Sequence, residues 1–223
     1  MIDSGVNVGH PHISNVAGGI SIASDGAIEP DSYVDRLGHG TAVMAAIQEK
    51  APCAEYFAVQ VFHNSLRATG TALLRAIEWS IEQRMDIVNL SLGTLNGEYR
   101  EQVDHLIKQA VLAGVFLVSA SEMNGQPCLP GCLPGVIGVS LDENCDRNAY
   151  RVRETAESVA FLASGYPRPA PGIPKERNLQ GISFAVANMS GFAARALEGL
   201  QERSAKTLRE ALVGANSHTA SEP

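Results

Sequence analysis

Short apolar runs alternate along the chain with segments in which apolar residues recur every three or four positions. Runs of the first kind, bounded by Gly, Pro, Asn or Asp, indicate buried strands, and segments of the second kind indicate helices. Strands are predicted at 1–3, 56–61, 87–92, 115–120, 136–141 and 159–163. Helices are predicted at 40–47, 71–84, about 103–111 (closed by Gly114), 183–202 and about 205–213. Residues 6–35 and the proline-rich stretch 166–174 are predicted to be connections, and a polar tail ends the chain.

The order of these elements indicates the architecture. Strands that alternate with helices, several of them apolar throughout, are typical of a parallel sheet covered by helices on both faces. In such sheets the functional groups gather beyond the carboxyl ends of the strands. Asp3, Ser91 and Ser119 each fall at or near the end of a predicted strand. We therefore expect an α/β fold with its chemistry at that edge.

Composition narrows the class of protein. The chain has 223 residues, 45% hydrophobic and 18% charged, which suits one globular domain spanning residues 1–223. A net charge of −7 argues against a nucleic-acid partner. No apolar stretch approaches the roughly 20 residues of a membrane span, and the sequence does not open on a pattern typical of secretion signals. We expect a cytoplasmic protein with no nucleic-acid or membrane partner.

The cysteines and histidines do not suggest a metal. Cys53, Cys128, Cys132 and Cys145 are too few and too scattered to indicate a disulfide framework, so reduced thiols are expected. The Cys128–Cys132 pair has no histidine near it in sequence, which makes a zinc site unlike the usual pattern. His10 and His12 flank a proline in a loop and are expected to be solvated. No metal and no cofactor are therefore predicted.

A serine at the start of the last strongly apolar helix is the first candidate for chemistry. Ser183, in Gly-Ile-Ser-Phe-Ala, would lie where unpaired backbone N–H groups and the helix dipole stabilise a developing oxyanion. Serine is also an ordinary N-cap, so this segment alone is compatible with either role. Asp3 in Ile-Asp-Ser-Gly and His39 in Gly-His-Gly-Thr complete the order Asp, His, Ser, which is one of the orders known for serine triads.

Together these motifs resemble the subtilisin family of serine peptidases, over nearly the whole chain. The resemblance implies a three-layer sandwich with a mostly parallel central sheet. It also implies that Ser183 is the nucleophile, His39 the general base and Asp3 the residue that orients the imidazole. The segment Asn89-Leu90-Ser91-Leu92-Gly93 is similar to the one that pairs with substrate backbone. In the family the pocket lies between that segment and residues 119–124, with Cys128 at the position of its floor, although a buried structural thiol is an equal alternative.

Several positions depart from the family pattern. An ungapped match puts Met123 where the family has its oxyanion asparagine, with Asn124 next to it as a candidate replacement. Ile182 and Ala187 replace a usual threonine and proline. The loss of one oxyanion donor slows turnover by roughly 10²–10³-fold without abolishing it.

Two functional hypotheses remain open on the sequence alone. One is a processing or maturation endopeptidase that cleaves a restricted peptide, and the other is a catalytically impaired pseudoenzyme that binds peptides or serves as a partner subunit.

The strand that carries Asp3 is unusually short at its N-terminal side. Only Met1 and Ile2 precede Asp3, which would leave neighbouring strands with unpaired backbone groups, each costing about 1–3 kcal/mol if buried. We expect one of three remedies: a natural chain that is longer at this end, a strand supplied by a second copy or a partner chain, or a frayed sheet.

Overall fold

The computed structural model describes residues 1–154 and 159–219, and within them the chain forms one large mixed sheet between two layers of helices. The strands are β1 (Ile2–Asp3), β2 (Gly18–Ile22), β3 (Ile28–Pro30), β4 (Phe57–Gln60), β5 (Ile87–Leu90), β6 (Phe116–Ala120), β7 (Glu122–Met123), β8 (Gln126–Pro127), β9 (Ile137–Leu141), β10 (Tyr150–Glu154) and β11 (Val159–Ala163). The helices are α1 (His39–Lys50), α2 (Gly70–Glu82), α3 (Arg100–Ala113), α4 (Ile182–Glu198) and α5 (Ala205–Thr219). Part of the predicted polar tail, 220–223, lies outside the described residues.

The main sheet places the short β1 at its centre. Its order is β10-β11-β9-β6-β5-β1-β4-β2-β3, and only the two edge strands, β3 and β10, run antiparallel to their neighbours. β1 pairs in parallel with β4 on one side and with β5 on the other. The carboxyl ends of these three strands therefore lie side by side, which brings the end of β1 next to residues 60 and 90.

Helices cover both faces of this sheet. On one face α2 and α3 pack through buried residues such as Ile77 and Ile107 against β4, β5 and β6. On the other face α4 packs on the sheet beside α1 and α5, and Phe184 of α4 meets Met44 of α1 in the core. Gly114 ends α3 in the left-handed conformation, as predicted. The predicted α/β architecture, with a mostly parallel sheet covered on both sides, is confirmed.

The prediction that residues 6–35 form a connection without strands was wrong. This stretch contains β2 and β3, and β2 pairs in parallel with β4. A Cβ atom built on Gly19 would lie 2.3 Å from the carbonyl oxygen of Ala58, so only glycine permits this close approach of the two strands. The strand is thus formed by a long-range backbone contact and not by a run of strand-forming side chains. Strand β10 and the small β7–β8 hairpin were also absent from the prediction.

A cavity lies at the N-terminal end of β1. Its volume is about 430 Å³, and its walls include the first residues of β4 and β5, Phe57 and Ile87, together with Ala194 and Leu197 of α4. The Met1 ammonium group donates a hydrogen bond to the carbonyl oxygen of Phe57 at 2.9 Å, and burial lowers its pKa to about 5. The cavity lies where a continuation of β1 would run. The expectation that this place is filled by a further strand stays a prediction.

Candidate active site

Asp3 and His39 meet at the carboxyl end of the central strand. Asp3 ends β1 and is fully buried, and its Oδ1 atom lies 2.8 Å from His39 Nδ1. The same oxygen accepts a hydrogen bond from the backbone N–H of Ser4 at 2.7 Å. Because a carboxylate can only accept, the His39 proton resides on Nδ1 and the lone pair of Nε2 is left free. His39 is thereby held in the tautomer that a general base requires.

Glycine next to the histidine allows this approach. A Cβ atom on Gly40 would lie 2.2 Å from the carbonyl oxygen of Gly5 and 3.1 Å from Ser4 Oγ. Any larger residue would push the start of α1 away from the end of β1 and separate His39 from Asp3. The Gly-His-Gly pattern is therefore required by packing as well as by chemistry.

A carboxylate that the sequence analysis missed organises the loop before His39. Asp35 accepts hydrogen bonds from the N–H groups of Leu37, Gly38 and Thr41 and from the hydroxyls of Ser4 and Thr41, at 2.6–2.9 Å. It thus satisfies backbone donors at the first turn of α1, which would otherwise be unpaired. Asp35 lies before Gly38, which is the N-cap residue of α1, so the preference for aspartate at the N-cap position itself does not indicate this role.

Two opposing effects set the pKa of His39. Burial lowers it, but the hydrogen bond to Asp3 and the negative charges of Asp3 and Asp35 outweigh burial, so the pKa lies above its ordinary value. Asp3 and Asp35 thereby stabilise the imidazolium that forms when His39 takes a proton. The ring also packs against Phe184, with 5.4 Å between ring centroids.

Ser183 is the second residue of α4, which begins at Ile182. Its hydroxyl donates a hydrogen bond to the carbonyl oxygen of Ser91 at 3.1 Å. Within the part of the chain that the structure describes, no hydrogen bond joins this hydroxyl to His39. Its neighbour Phe184 contacts the His39 ring, so the serine belongs to the same site although its hydroxyl points to Ser91.

Asn89 connects the segment expected to pair with substrate backbone, residues 89–93, to helix α4, which carries Ser183. Its side chain donates to Ser91 Oγ at 2.8 Å and accepts from Ser190 Oγ of α4 at 3.0 Å. Both bonds are made inside the molecule, since Asn89 is 2% exposed and Ser190 is fully buried. They fix the position of Ser91 relative to α4, and hence relative to Ser183.

Two of the candidate pocket residues, Cys128 and Ser119, are buried and form hydrogen bonds to backbone carbonyl groups. Cys128 is fully buried, and its thiol donates to the carbonyl oxygen of Ala120 at 3.1 Å. A Cβ atom on Gly93 would lie 3.1 Å from the Cys128 sulfur, so the thiol packs directly beneath Gly93. Burial, with smaller effects of Cys132 and Glu122, raises the pKa of the Cys128 thiol to about 11. Ser119 is also fully buried and reaches the carbonyl oxygen of Leu92 at 3.4 Å, so it supports that segment from behind.

The residues matched to the oxyanion segment form the β7–β8 hairpin. Met123 pairs with Gln126, and Asn124 and Gly125 make the two-residue turn with φ values of 53° and 75°. Positive φ at both positions defines the type I′ turn that Asn-Gly favours. Met123 is half-buried against the core, together with Ile182, whereas Asn124 is exposed at the tip. Among the described residues no hydrogen bond engages the Asn124 amide.

Two other features, a metal site and a membrane-spanning helix, are absent from the described residues. Among residues 1–154 and 159–219, no group of three or more His, Cys, Asp or Glu side chains is arranged to hold a metal ion. In the same residues none of the helices combines the length and apolar character needed to cross a membrane. The side chains that the structure brings to this place are the Asp3–His39 pair and, through the contact of Phe184 with His39, the neighbouring Ser183.

Comparison with known sequences finds related proteins over most of the chain. The model of the subtilase family, Peptidase_S8, matches residues 1–222. The minor extracellular protease Epr of Bacillus subtilis (strain 168) is 35% identical over 178 residues, which are 74% of this chain and 26% of Epr. A thermostable alkaline protease of Halalkalibacterium halodurans is 29% identical, over 87% of this chain and 55% of its own length. The chain thus spans between about a quarter and about half of the length of these relatives.

Solved structures share the fold. A cold adapted subtilisin-like serine proteinase superposes with a TM-score of 0.72 at 19% identity, covering 96% of this chain and 79% of that one. A lanthipeptide protease gives 0.70 at 19% identity, covering 94% and 76%. The prenylagaramide maturation protease PagA gives 0.62 at 24% identity, covering 88% and 73%. The fold is therefore subtilisin-like, and the chain belongs to the subtilase family.

Proposed function

We propose that this chain is a serine endopeptidase that cleaves a restricted peptide substrate through an acyl-enzyme, with Asp3, His39 and Ser183 as its triad. The observation that carries the proposal is the 2.8 Å contact between His39 Nδ1 and Asp3 Oδ1, with Ser183 at the start of α4 beside it. A maturation role is supported by the similar folds of a lanthipeptide protease and of the prenylagaramide maturation protease PagA.

The chemistry needs one rearrangement. For the reaction the Ser183 hydroxyl must leave the carbonyl oxygen of Ser91 and turn to His39 Nε2, which accepts its proton as Oγ bonds to the substrate carbonyl carbon. The imidazolium then gives that proton to the leaving amine as the C–N bond breaks. Water attacks the resulting ester, His39 takes the water proton, and release of the acid restores the Ser183 hydroxyl.

Stabilisation of the oxyanion is the weak part of this site. The backbone N–H of Ser183 at the helix N-terminus supplies one donor. Met123 cannot supply a second, and the Asn124 amide is the candidate for it. With less stabilisation from the site itself, more must come from binding remote parts of the substrate. This is the reason to expect a restricted peptide and not unfolded protein in general as substrate.

A fluorophosphonate probe tests the proposal. We expect covalent labelling of the wild-type chain at Ser183 and none in Ser183→Ala. Casein should be a poor substrate in comparison with a well-chosen peptide. Vigorous casein digestion that Ser183→Ala abolishes would replace the restricted role with that of a general protease.

The pseudoenzyme remains a second candidate. Met123 at the oxyanion position and the Ser183–Ser91 hydrogen bond both favour it. It predicts peptide binding without labelling of Ser183, so the same probe separates the two.

The setting and partners are part of the proposal. We propose a cytoplasmic protein, which is supported by four cysteines that are all free thiols. For the cavity beyond Met1 we propose a strand that continues β1, supplied by the same polypeptide, by a second copy or by a partner chain.

A further inference from the structure

A second cavity borders the histidine side of the candidate active site. Its volume is about 450 Å³. One wall is the loop and first turn around His39, including Asp35, Gly38 and Thr41, and the other is the loop that leads to Ser183, including Asn178 and Leu179. Ser91, Leu92, Gly93 and Cys128 do not line this cavity. It therefore lies apart from the segment proposed to hold the acyl half of the substrate.

The position of the cavity relates it to the leaving group. In the proposed reaction His39 protonates the amine that departs, so the residues following the scissile bond must run past the His39 ring. The acyl half runs along Ser91, whose carbonyl oxygen already contacts the Ser183 hydroxyl at 3.1 Å. The cavity is lined by Gly38 and Thr41, which flank His39 along the chain, and by Leu179, so it is where the departing half of a peptide would lie.

Two arginines give this cavity its charge. Arg36 is exposed and, among the described residues, forms no ion pair. Arg168 is 40% exposed along its side chain, and its contacts are a 3.5 Å hydrogen bond to the carbonyl oxygen of His12 and a 4.0 Å approach to Glu49. Glu49 is itself held by Arg147 and Lys50. Most of the five guanidinium N–H donors of each arginine are thus available to a ligand.

One acidic side chain offsets part of this charge, but the two arginines outnumber it. Among the described residues that line the cavity, Asp35 is the one carboxylate, and its two oxygens already accept five hydrogen bonds from neutral donors. Burial, and then the nearby charges of Arg168 and His10, lower the pKa of His12, so its ring is neutral near pH 7. A cationic cavity in a chain of net charge −7 is a local feature that bulk composition does not explain.

Arg168 is also tied to the catalytic loop. The Asn178 amide donates to the carbonyl oxygen of Arg168 at 3.3 Å, and Asn178 Oδ1 accepts from the backbone N–H of Leu179 at 2.9 Å. Leu179 is exposed and lines the same cavity as Arg168, so it adds an apolar surface to that cavity. The cavity therefore combines a guanidinium group with an apolar side chain that lies a few residues before Ser183.

We propose that this cavity is a subsite for an acidic side chain in the first residues after the scissile bond, read by Arg36 and Arg168. The inference rests on the proposed endopeptidase function, because the leaving-group side is defined by that reaction. The substrate class is a peptide that carries Asp or Glu shortly after the cut. Arg36 and Arg168 are specificity-determining residues and take no part in bond breaking.

Matched peptides test this subsite. Peptides with amidated C-termini would carry Glu or Gln at each of the first positions after the cut, and one further peptide would have Gln there and a free C-terminal carboxylate. At one position we expect kcat/KM to favour Glu over Gln by about fivefold, the range of a partly exposed ion pair. The preference should shrink toward unity in Arg168→Gln, in Arg36→Gln and at about 0.5 M salt, where exposed charges are screened. Arg151→Gln is the matched control, since Arg151 is exposed on β10 and pairs with Asp142.

Binding to Ser183→Ala separates this inference from the proposed function. Leaving-group fragments with Glu or Gln would be titrated by fluorescence anisotropy, which needs no turnover. Glu-selective binding that is lost in Arg168→Gln and Arg36→Gln supports the subsite even if no peptide is cleaved, in which case only the endopeptidase function falls. Cleavage or binding without a Glu preference overturns the subsite and leaves the protease standing. A preference for the free C-terminal carboxylate alone overturns the side-chain assignment.

Discussion

Replacing Asp35 with asparagine should lower both the free energy of unfolding and the pKa of His39. Asp35 Oδ2 accepts from the Thr41 N–H at 2.8 Å and from the Thr41 hydroxyl at 2.6 Å, while Oδ1 accepts from three further donors at 2.9 Å. An asparagine keeps one acceptor and puts an NH₂ group, which only donates, where the other oxygen was. Whichever oxygen is replaced, at least two of these five donors then face another donor.

The size of the stability loss follows from these contacts. A hydrogen bond to a charged group contributes about 1.5–3 kcal/mol, but the donors of Leu37 and Gly38 are exposed and regain water. Losing the Thr41 pair, with partial recovery elsewhere, should lower the free energy of unfolding by about 2–4 kcal/mol. For a domain of this length that corresponds to a fall in Tm of about 5–15 °C.

The same substitution should change the pH dependence of activity. The negative charge of Asp35 is one of the influences that raise the pKa of His39, so its removal lowers that pKa. His39 acts as a base only when neutral, and a lower pKa keeps it neutral to a lower pH. The acidic limb of the kcat/KM profile should therefore move to lower pH in Asp35→Asn, and so should the limb of the fluorophosphonate labelling rate.

Thermal unfolding and the pH–rate profile together check this reasoning. Asp86→Asn is the control, because Asp86 is 64% exposed along its side chain and its one ion pair among the described residues is with Arg203 at 2.9 Å. It should leave both measurements near those of the parent chain. An unchanged Tm in Asp35→Asn would refute the account of the loop, and an acidic limb that stays in place or moves to higher pH would refute the electrostatic account of His39.

Three further predictions concern the oxyanion candidate, the thiols and the cavity beyond Met1. Asn124→Gly keeps the type I′ turn but removes the amide, so kcat should fall by about 10²–10³-fold at unchanged KM if Asn124 is the second oxyanion donor; unchanged kcat would exclude that role. A thiol reagent at neutral pH should modify exposed Cys53 and spare Cys128, which is buried and has a pKa of about 11. Early modification of Cys128, detected by mass spectrometry, would contradict the packing beneath Gly93. A strand that continues β1 should protect the amides of β4 and β5 in hydrogen exchange, and a larger solution mass would identify a second chain as its source; strong protection in a monomer of the chain alone would contradict the need for that strand.

The elements predicted with most success are those in which side chains alone decide the structure. The apolar stripe of α3 and its terminal Gly114 are local signals, and the structure has both. Strands β5 and β6 are mostly apolar because both of their faces are covered, and each carries one buried polar residue, Asn89 and Ser119 respectively. Strand β2 was missed because its formation depends on the close approach of Gly19 to Ala58, which is distant in sequence.

The residues of the candidate site also differ in how far the sequence alone can identify them. Asp3, His39 and Ser183 stand in short motifs that can be recognised in the sequence. The role of Asp35 depends on how a loop closes over the first turn of α1, and a scan for motifs does not evaluate loop closure. For the β7–β8 hairpin the signal was present, since Asn124-Gly125 is a strong turn dipeptide. The similarity of this segment to a family position favoured an oxyanion residue there over a turn.

The hairpin bears directly on how much catalysis the site can support. Asn124 adopts a φ of 53°, a conformation that asparagine tolerates better than most residues, so the demands of the turn alone account for an asparagine there. Its presence next to Met123 is therefore not by itself a sign of a displaced oxyanion donor. If the turn is its whole purpose, the Ser183 N–H acts without a side-chain partner, and substrate binding must supply the difference. A cationic subsite on the leaving-group side is a source of such binding energy, because its contacts are made by residues remote from the bond that breaks.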